Sequence, residues 1–249
     1  VDLTDKKSLN EHLKTISPDI IIHCAALTDV DLCEENKKLC FETNLKSTSY
    51  LSDYCQKFEK KLIFISTDSV YGSSRFASTE SQKLKPMNNY ARSKTLAEKV
   101  VKKVHNHCII RTNIFGISPK KQGLFDWFFT KLNEGNKFYG FDDAIFNPIY
   151  TGDLSNIILK IIKNNVKGII NVGSRDSMSK YEFGEKIAQI FNIESSCLEK
   201  KSIREFNFKA KRPLNTTMDI SRAKKLFGDS INTVEEGLKK IKKEMVEDG

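Results

Sequence analysis

Tyr90 and Lys94 stand four residues apart in Asn89-Tyr90-Ala91-Arg92-Ser93-Lys94. On a helix that spacing sets the phenol and the ammonium side by side on one face. A fixed positive charge beside a phenol favours phenolate and lowers a pKa that is normally about 10. The result is a proton donor or acceptor usable near neutral pH. Upstream, the apolar run Leu62-Ile63-Phe64-Ile65 opens into Ser66-Thr67-Asp68, so a hydroxyl at a strand end could hold a substrate oxygen. These three groups are the parts of a carbonyl/alcohol oxidoreductase. Singly they mean little: Tyr-x-x-x-Lys also arises by chance on surface helices, and Thr67 alone reads as a turn residue after a strand.

The elements that must position them follow from the hydrophobic pattern. Apolar strand-like runs alternate with helical periodicity, the signature of a parallel sheet covered on both faces. The pattern predicts a helix over 5–16, a strand over 20–23, a long helix over 31–57 and a strand over 62–65. The Tyr/Lys helix is expected over 88–104, and a strand over 108–111. Helices near 124–134 and 153–165 precede a strand over 168–172, and helices over 179–191, 219–227 and 233–246 follow. The fold class is α/β, a Rossmann-type doubly wound parallel sheet whose strand ends carry the chemistry. Such a sheet opens with a strand, a Gly-rich turn and a helix. No G-x-G-x-x-G or G-x-x-G-x-x-G occurs in the 249 residues. The first βαβ segment is expected to be missing.

Composition excludes other classes. The formal charge is +9, but the lysines are scattered along amphipathic helices and no Arg-rich stripe or reading module is present, which argues against nucleic acid. The field would suit phosphorylated ligands. No apolar run approaches the roughly 20 residues needed to span a bilayer, and Val1 to Asp5 lacks the basic start of a signal peptide. The six cysteines form no C-x-x-C pair and read as reduced thiols of a cytoplasmic protein. His105 and His107 have no further ligands in view, so no metal is expected, and His12 reads as an ordinary helix residue.

With these residues laid out, the chain resembles the extended short-chain dehydrogenase/reductases, and most of all the dTDP-4-dehydrorhamnose reductase branch. Asp2-Leu3-Thr4-Asp5, Ile22-His23-Cys24-Ala25-Ala26-Leu27-Thr28, Val30-Asp31 with Glu34, Asn44, Ser66-Thr67-Asp68-Ser69-Val70-Tyr71-Gly72, Tyr90 with Lys94, Arg111-Thr112 and Arg212-Pro213-Leu214-Asn215 match its motifs in order. The resemblance implies Thr67, Tyr90 and Lys94 as catalytic residues. It implies NADP or NAD as cofactor, held by Asp2, Ala25, Ala26, Asn44, Tyr90 and Lys94. Substrate contacts are implied at Thr28, Asp68, Asn113 and Arg212, with Arg212 either gripping a diphosphate or serving as a capping residue. Tyr90 would protonate the alkoxide left by hydride transfer, Lys94 would hold its pKa down, and Thr67 would donate a hydrogen bond to the keto oxygen.

Departures limit the carry-over. His23-Cys24 replaces the branch's Asn-Ala, Ser69 stands where a Tyr is common, and the Trp after the Arg-Thr strand end is absent. Residues 1–116 are expected to form a partial NAD(P)-binding half and 117–249 a substrate-binding region interleaved with the end of the sheet. The aromatic run Gln122-Gly123-Leu124-Phe125-Asp126-Trp127-Phe128-Phe129 reads as core or a subunit contact before sugar contact, and Asp153 as a cap of the next helix.

The leading function is NAD(P)H-dependent reduction of a nucleotide-linked 4-keto sugar, as in dTDP-rhamnose biosynthesis. A nucleotide-sugar epimerase or dehydratase on the same scaffold is the alternative within enzymes; one Asp after Thr67, and not an Asp-Glu pair, disfavours a dehydratase. A non-catalytic regulatory member of the family is the alternative from another class. A fragment or displaced start is a third reading, under which cofactor binding should be weak. A homodimer through the long helices is a common arrangement for this scaffold.

Overall fold

The structure is a computed structural model that describes residues 1–119, 121 and 123–247; Gln122, at the head of the aromatic run, lies outside them. In chain order the elements are α1 (Lys6–Ile16), β1 (Ile20–His23), α2 (Val30–Glu35), α3 (Lys37–Phe41), a π-helical turn (Glu42–Lys46), α4 (Ser47–Lys57), β2 (Lys61–Ile65), α5 (Asn89–Val101), β3 (His107–Thr112) and β4 (Ile114–Phe115). Then come α6 (Leu124–Glu134), β5 (Phe138–Phe141), β6 (Ile145–Phe146), β7 (Ile149–Tyr150), α7 (Thr151–Lys163), β8 (Gly168–Val172), β9 (Met178–Ser179), α8 (Lys180–Phe191), β10 (Leu198–Lys201), α9 (Ser221–Phe227) and α10 (Val234–Glu247).

The main sheet has the order β1-β2-β3-β8, parallel throughout. Its central strands are apolar on both faces because both faces are covered. Leu62 and Phe64 of β2 pack with Leu9, Leu13, Leu51, Ala97 and Val101 on the α1/α4/α5 side. Ile63, next in sequence, points the other way into Ile110, Ile157, Ile161 and Ile170 on the α7/α9 side. Such a fully buried position is sensitive: truncation to Ala typically costs about 2–5 kcal/mol. Among the described residues β1 is an edge strand paired with β2, and Ile22 is 43% exposed. A third core fills the second half of the chain, where Phe115, Phe125, Phe128, Phe146 and Phe183 meet Leu238 and Ile241.

The long helix expected over 31–57 is broken. Asn36 ends α2 and starts α3, with φ −121° and ψ 73°, and its side chain accepts from Leu39 N. An Asx side chain that bonds the following backbone competes with helix continuation. The π-helical turn that follows carries Asn44. Asp153 likewise differs from expectation: it lies in the first turn of α7 behind Tyr150, and its carboxylate takes Lys240 Nζ at 2.5 Å instead of capping. The strands β4 to β7, β9 and β10, two to four residues each, were absent from the expected pattern because tertiary pairing makes them. Among the described residues no helix is long and apolar enough to cross a membrane.

Candidate active site

The carboxyl ends of β1, β2 and β3 open into a cleft of about 590 Å³. Cys24, Ala26 and Thr28 line it from the β1 end, Ser66, Thr67 and Asp68 from the β2 end, and Thr112 and Asn113 from the β3 end. Tyr90 and Lys94 close it from α5. These four elements therefore bring together residues as far apart in sequence as Cys24 and Asn113.

Each part is held. Asn88 caps α5, its Oδ1 accepting from Ala91 N at 2.9 Å, while its Nδ2 donates to the Lys211 carbonyl. Glu34 Oε2 accepts from Asn89 N at 2.9 Å. Asn44 is buried: its Oδ1 accepts from Leu27 N at 2.7 Å, and its Nδ2 donates to Leu27 O and Ser93 Oγ, each at 3.0 Å. It thereby clamps the segment after β1 to the Tyr/Lys helix, and its role in this geometry is positioning. His23 is buried beside it, its ring Nε2 2.9 Å from Thr48 Oγ1. Because that hydroxyl donates to the Asn44 carbonyl at 2.6 Å, Nε2 carries the proton. Burial pulls the imidazole down to about 4, aided by the nearby Lys94 charge.

Lys94 does not act on Tyr90 as expected. Its Nζ donates to the Ile65 carbonyl at 2.7 Å and lies 4.0 Å from the centroid of the Phe64 ring. Burial lowers the ammonium to about 8, against the opposing pull of Glu98 and Cys24. Tyr90 is moved in the opposite direction from the one the spacing suggests. Burial raises it above the ordinary phenol range; a hydrogen bond with Thr67 opposes this, and Asp68, Cys33 and Cys40 add to it. Desolvation is the dominant cause. At neutral pH Tyr90 is a phenol and holds its proton.

Thr67 is held by its neighbours. Its hydroxyl donates to Asp68 Oδ1 at 3.0 Å and accepts from Ser69 N at 3.2 Å. Asp68 takes Ser69 Oγ on the same oxygen and Asn113 Nδ2 at 2.8 Å on the other. The Asp68 carboxylate thus orients Thr67, and donation to a substrate oxygen requires the hydroxyl to turn.

Beneath this layer is a buried ion pair. Glu98, one turn beyond Lys94, receives Arg111 Nε at 3.0 Å, Arg111 Nη2 at 2.7 Å and Ser66 Oγ at 2.6 Å. Arg111 also donates to the Tyr71 hydroxyl, which in turn donates to Asn171. Glu98 was not singled out in the sequence, although an acidic residue four positions past Lys94 on an otherwise apolar helix face is a visible signal.

A second chamber of about 350 Å³ adjoins the cleft and shares Asp68, Ser69, Asn113 and Leu124 with it. Trp127, Phe128, Phe146 and Phe208 form apolar walls, and Arg212 and Lys180 are its cations. Arg212 is tied down, with Nη2 2.6 Å from Asp31 Oδ2. The aromatic run is core as expected at Phe125 and Phe128, but Trp127 stays 44% exposed and faces the chamber. Of the other expected residues, Thr28 lines the cleft from an exposed position. Asp2 folds onto Thr4, accepting from its N and Oγ1, and does not line the cleft. Ala25 is exposed beside the cleft-lining Ala26. Five cysteines are buried and Cys24 is exposed, all free thiols. Among the described residues no cluster of three His, Cys, Asp or Glu side chains could hold a metal.

A parallel α/β sheet with Thr67, Tyr90 and Lys94 gathered at its strand ends defines an extended short-chain dehydrogenase/reductase. The family model described as RmlD substrate binding domain matches residues 1–247, and the chain belongs to that family. It is 28% identical over 96% of its length to the probable low-salt glycan biosynthesis reductase Agl14 of Haloferax volcanii, covering 81% of that protein. The methionine adenosyltransferase 2 subunit beta of Danio rerio is 25% identical, over 93% of this chain and 74% of that one. The crystal structure of dTDP-4-dehydrorhamnose reductase from Bacillus anthracis in complex with NADP superposes with a TM-score of 0.92 at 29% identity, covering 98% of this chain and 87% of that one.

Proposed function

We propose that this protein is an NAD(P)H-dependent reductase of a nucleotide-linked 4-keto sugar. The observation that carries the reading is the convergence of Thr67, Tyr90 and Lys94 on one cleft at the strand ends, with burial keeping Tyr90 protonated. The nicotinamide end of NADP or NAD suits this cleft: small residues at the end of β1 leave room for a flat ring, and Lys94 and Tyr90 present donors for ribose hydroxyls. Ala25, Ala26, Tyr90 and Lys94 would hold it, with Asn44 acting through Leu27. When bound, the cofactor supplies a hydride. What the protein supplies is a proton at the Tyr90 hydroxyl and orientation of the keto oxygen by Tyr90 and, once its hydroxyl turns from Asp68, by Thr67. The relatives named as reductases support this reading.

We assign residues 1–116 to the cofactor half and 117–249 to the substrate half, with dTDP-linked sugars as the first substrates to try. Dehydration is disfavoured because the one acid beside Thr67, Asp68, already receives three donors. A non-catalytic role is the second reading, on the strength of the likeness to the methionine adenosyltransferase subunit. The test is NADPH oxidation with a panel of dTDP- and UDP-4-keto sugars, with product analysis. We expect reduced sugar from the wild type and at least 100-fold less from Tyr90→Phe. Isomerised sugar with no NADPH consumed would make the protein an epimerase, and no turnover of any sugar would favour the non-catalytic reading.

A further inference from the structure

We propose that Lys180 is a specificity-determining residue of the chamber, taking an oxyanion of the substrate from the diphosphate or from a carboxylate on the sugar. The inference rests on the nucleotide-sugar reading above and adds a residue to it.

Three independent features single out this lysine. First, it lines the same chamber as Asp68, Asn113 and Arg212, with its Nζ 4.0 Å from the centroid of the Phe146 ring. Second, among the described residues its ammonium has no hydrogen-bond or ion-pair partner, whereas Arg212 across the chamber is neutralised by Asp31. Third, Lys180 is the first residue of α8, where the helix dipole is positive and a cation is disfavoured. Glu182, the acid of that first turn, is committed to the Ser179 backbone N–H in a capping box and does not offset it.

A cation held by an aromatic ring next to a helix N-terminus stores an unfavourable charge that an anion would relieve. Burial also holds the Lys180 ammonium down to about 8, with Asp68 raising it and Arg212 lowering it, consistent with a desolvated amine facing the chamber. An anion there lies beside Asp68 and Asn113, at the mouth of the catalytic cleft, where the substrate's phosphates or a sugar acid would pass.

Calorimetry decides it with the full chain and no cofactor. The probes are dTDP, UDP, dTMP, UDP-glucuronate and UDP-glucose, titrated into wild type, Lys180→Met and Lys180→Arg at pH 7. Methionine keeps the stem on Phe146 and removes the charge. We expect Lys180→Met to weaken at least one of dTDP, UDP and UDP-glucuronate about tenfold or more, with Lys180→Arg recovering most of it. A diphosphate source gives equal losses for UDP and UDP-glucuronate; a carboxylate source gives a loss for UDP-glucuronate only, with UDP-glucose unmoved. Wild-type binding that Lys180→Met leaves unchanged for every probe overturns the inference and spares the function proposed above. No binding of any probe by a wild type that melts cooperatively overturns both.

Discussion

Glu98→Gln should be the most damaging isosteric change in the molecule. Glu98 and Arg111 are essentially inaccessible to solvent and joined through two charge-assisted hydrogen bonds at 2.7 and 3.0 Å. Glutamine preserves the volume but turns an amide toward the guanidinium, leaving a buried charge without its counter-ion. Breaking a buried pair from one side costs about 3–5 kcal/mol, which is about a fifth or more of the total stability of an ordinary domain at about 5–15 kcal/mol. For a chain of this size each kcal/mol moves the midpoint by about 2–4 °C, so Tm should fall by about 6–20 °C. Urea denaturation followed by far-ultraviolet circular dichroism gives the free energy directly. The companion variant, Glu98→Leu with Arg111→Met, removes both charges and should lie within about 2 kcal/mol of wild type, since an apolar pair of similar volume is often neutral or stabilising. A Glu98→Gln loss below about 1 kcal/mol, or a double variant worse than the single, would refute the view that the two charges are desolvated and mutually dependent. Ser66 gives the pair its functional weight: its hydroxyl is fixed on Glu98 directly before Thr67, so the ion pair sets the end of β2 from below.

The remaining predictions use the same site. Lys94→Met should abolish turnover yet stabilise the fold at pH 7. The folded ammonium titrates at about 8 against 10.5 unfolded, so a burial cost of about 3 kcal/mol, offset by about 1 for the Ile65 bond, is present below pH 8 and relieved as pH rises to 10.5. Denaturation of both proteins from pH 7 to 10 checks it, and a gap that does not narrow with pH counts against it. His23 runs on the acid side. Its folded pKa of about 4 lies below 6.5, so the unfolded chain binds the proton first, and wild type should lose about 3 kcal/mol relative to His23→Asn between pH 6.5 and 4; parallel acid profiles would contradict the assignment. Asn44→Ala leaves Leu27 N without a partner and Leu27 O with the Cys33 thiol alone, and should cost about 1–3 kcal/mol, with faster amide exchange at Leu27 as the local readout and unchanged exchange there as the contrary result.

Much of this was legible in the sequence for a definable reason. Thr67, Tyr90 and Lys94 lie at the ends of elements whose apolar patterns are long and continuous, so the strand over 62–65 and the helix carrying Tyr90 announce where their functional ends must be. Asn36 was not read as a break, because an Asx residue within amphipathic periodicity shows its effect only once its side chain chooses the backbone of Leu39. The chamber was hidden for a different reason. Its lining runs from Asp68 to Thr216, and Phe146 and Lys180 meet through the two-residue pairing of β6 with β9, which leaves no periodicity to detect.

The sign of the Tyr90 shift carries the larger lesson. Spacing alone puts a cation next to a phenol and predicts an acidified tyrosine. The fold places Lys94 against Phe64 and the Ile65 carbonyl, and buries both titrating groups in one low-polarity cleft. Burial disfavours charge on each partner, so the ammonium falls toward neutrality while the phenol rises. Both shifts favour neutral forms, so the site rests with Tyr90 as a phenol, the form in which it can donate a proton to a developing alkoxide.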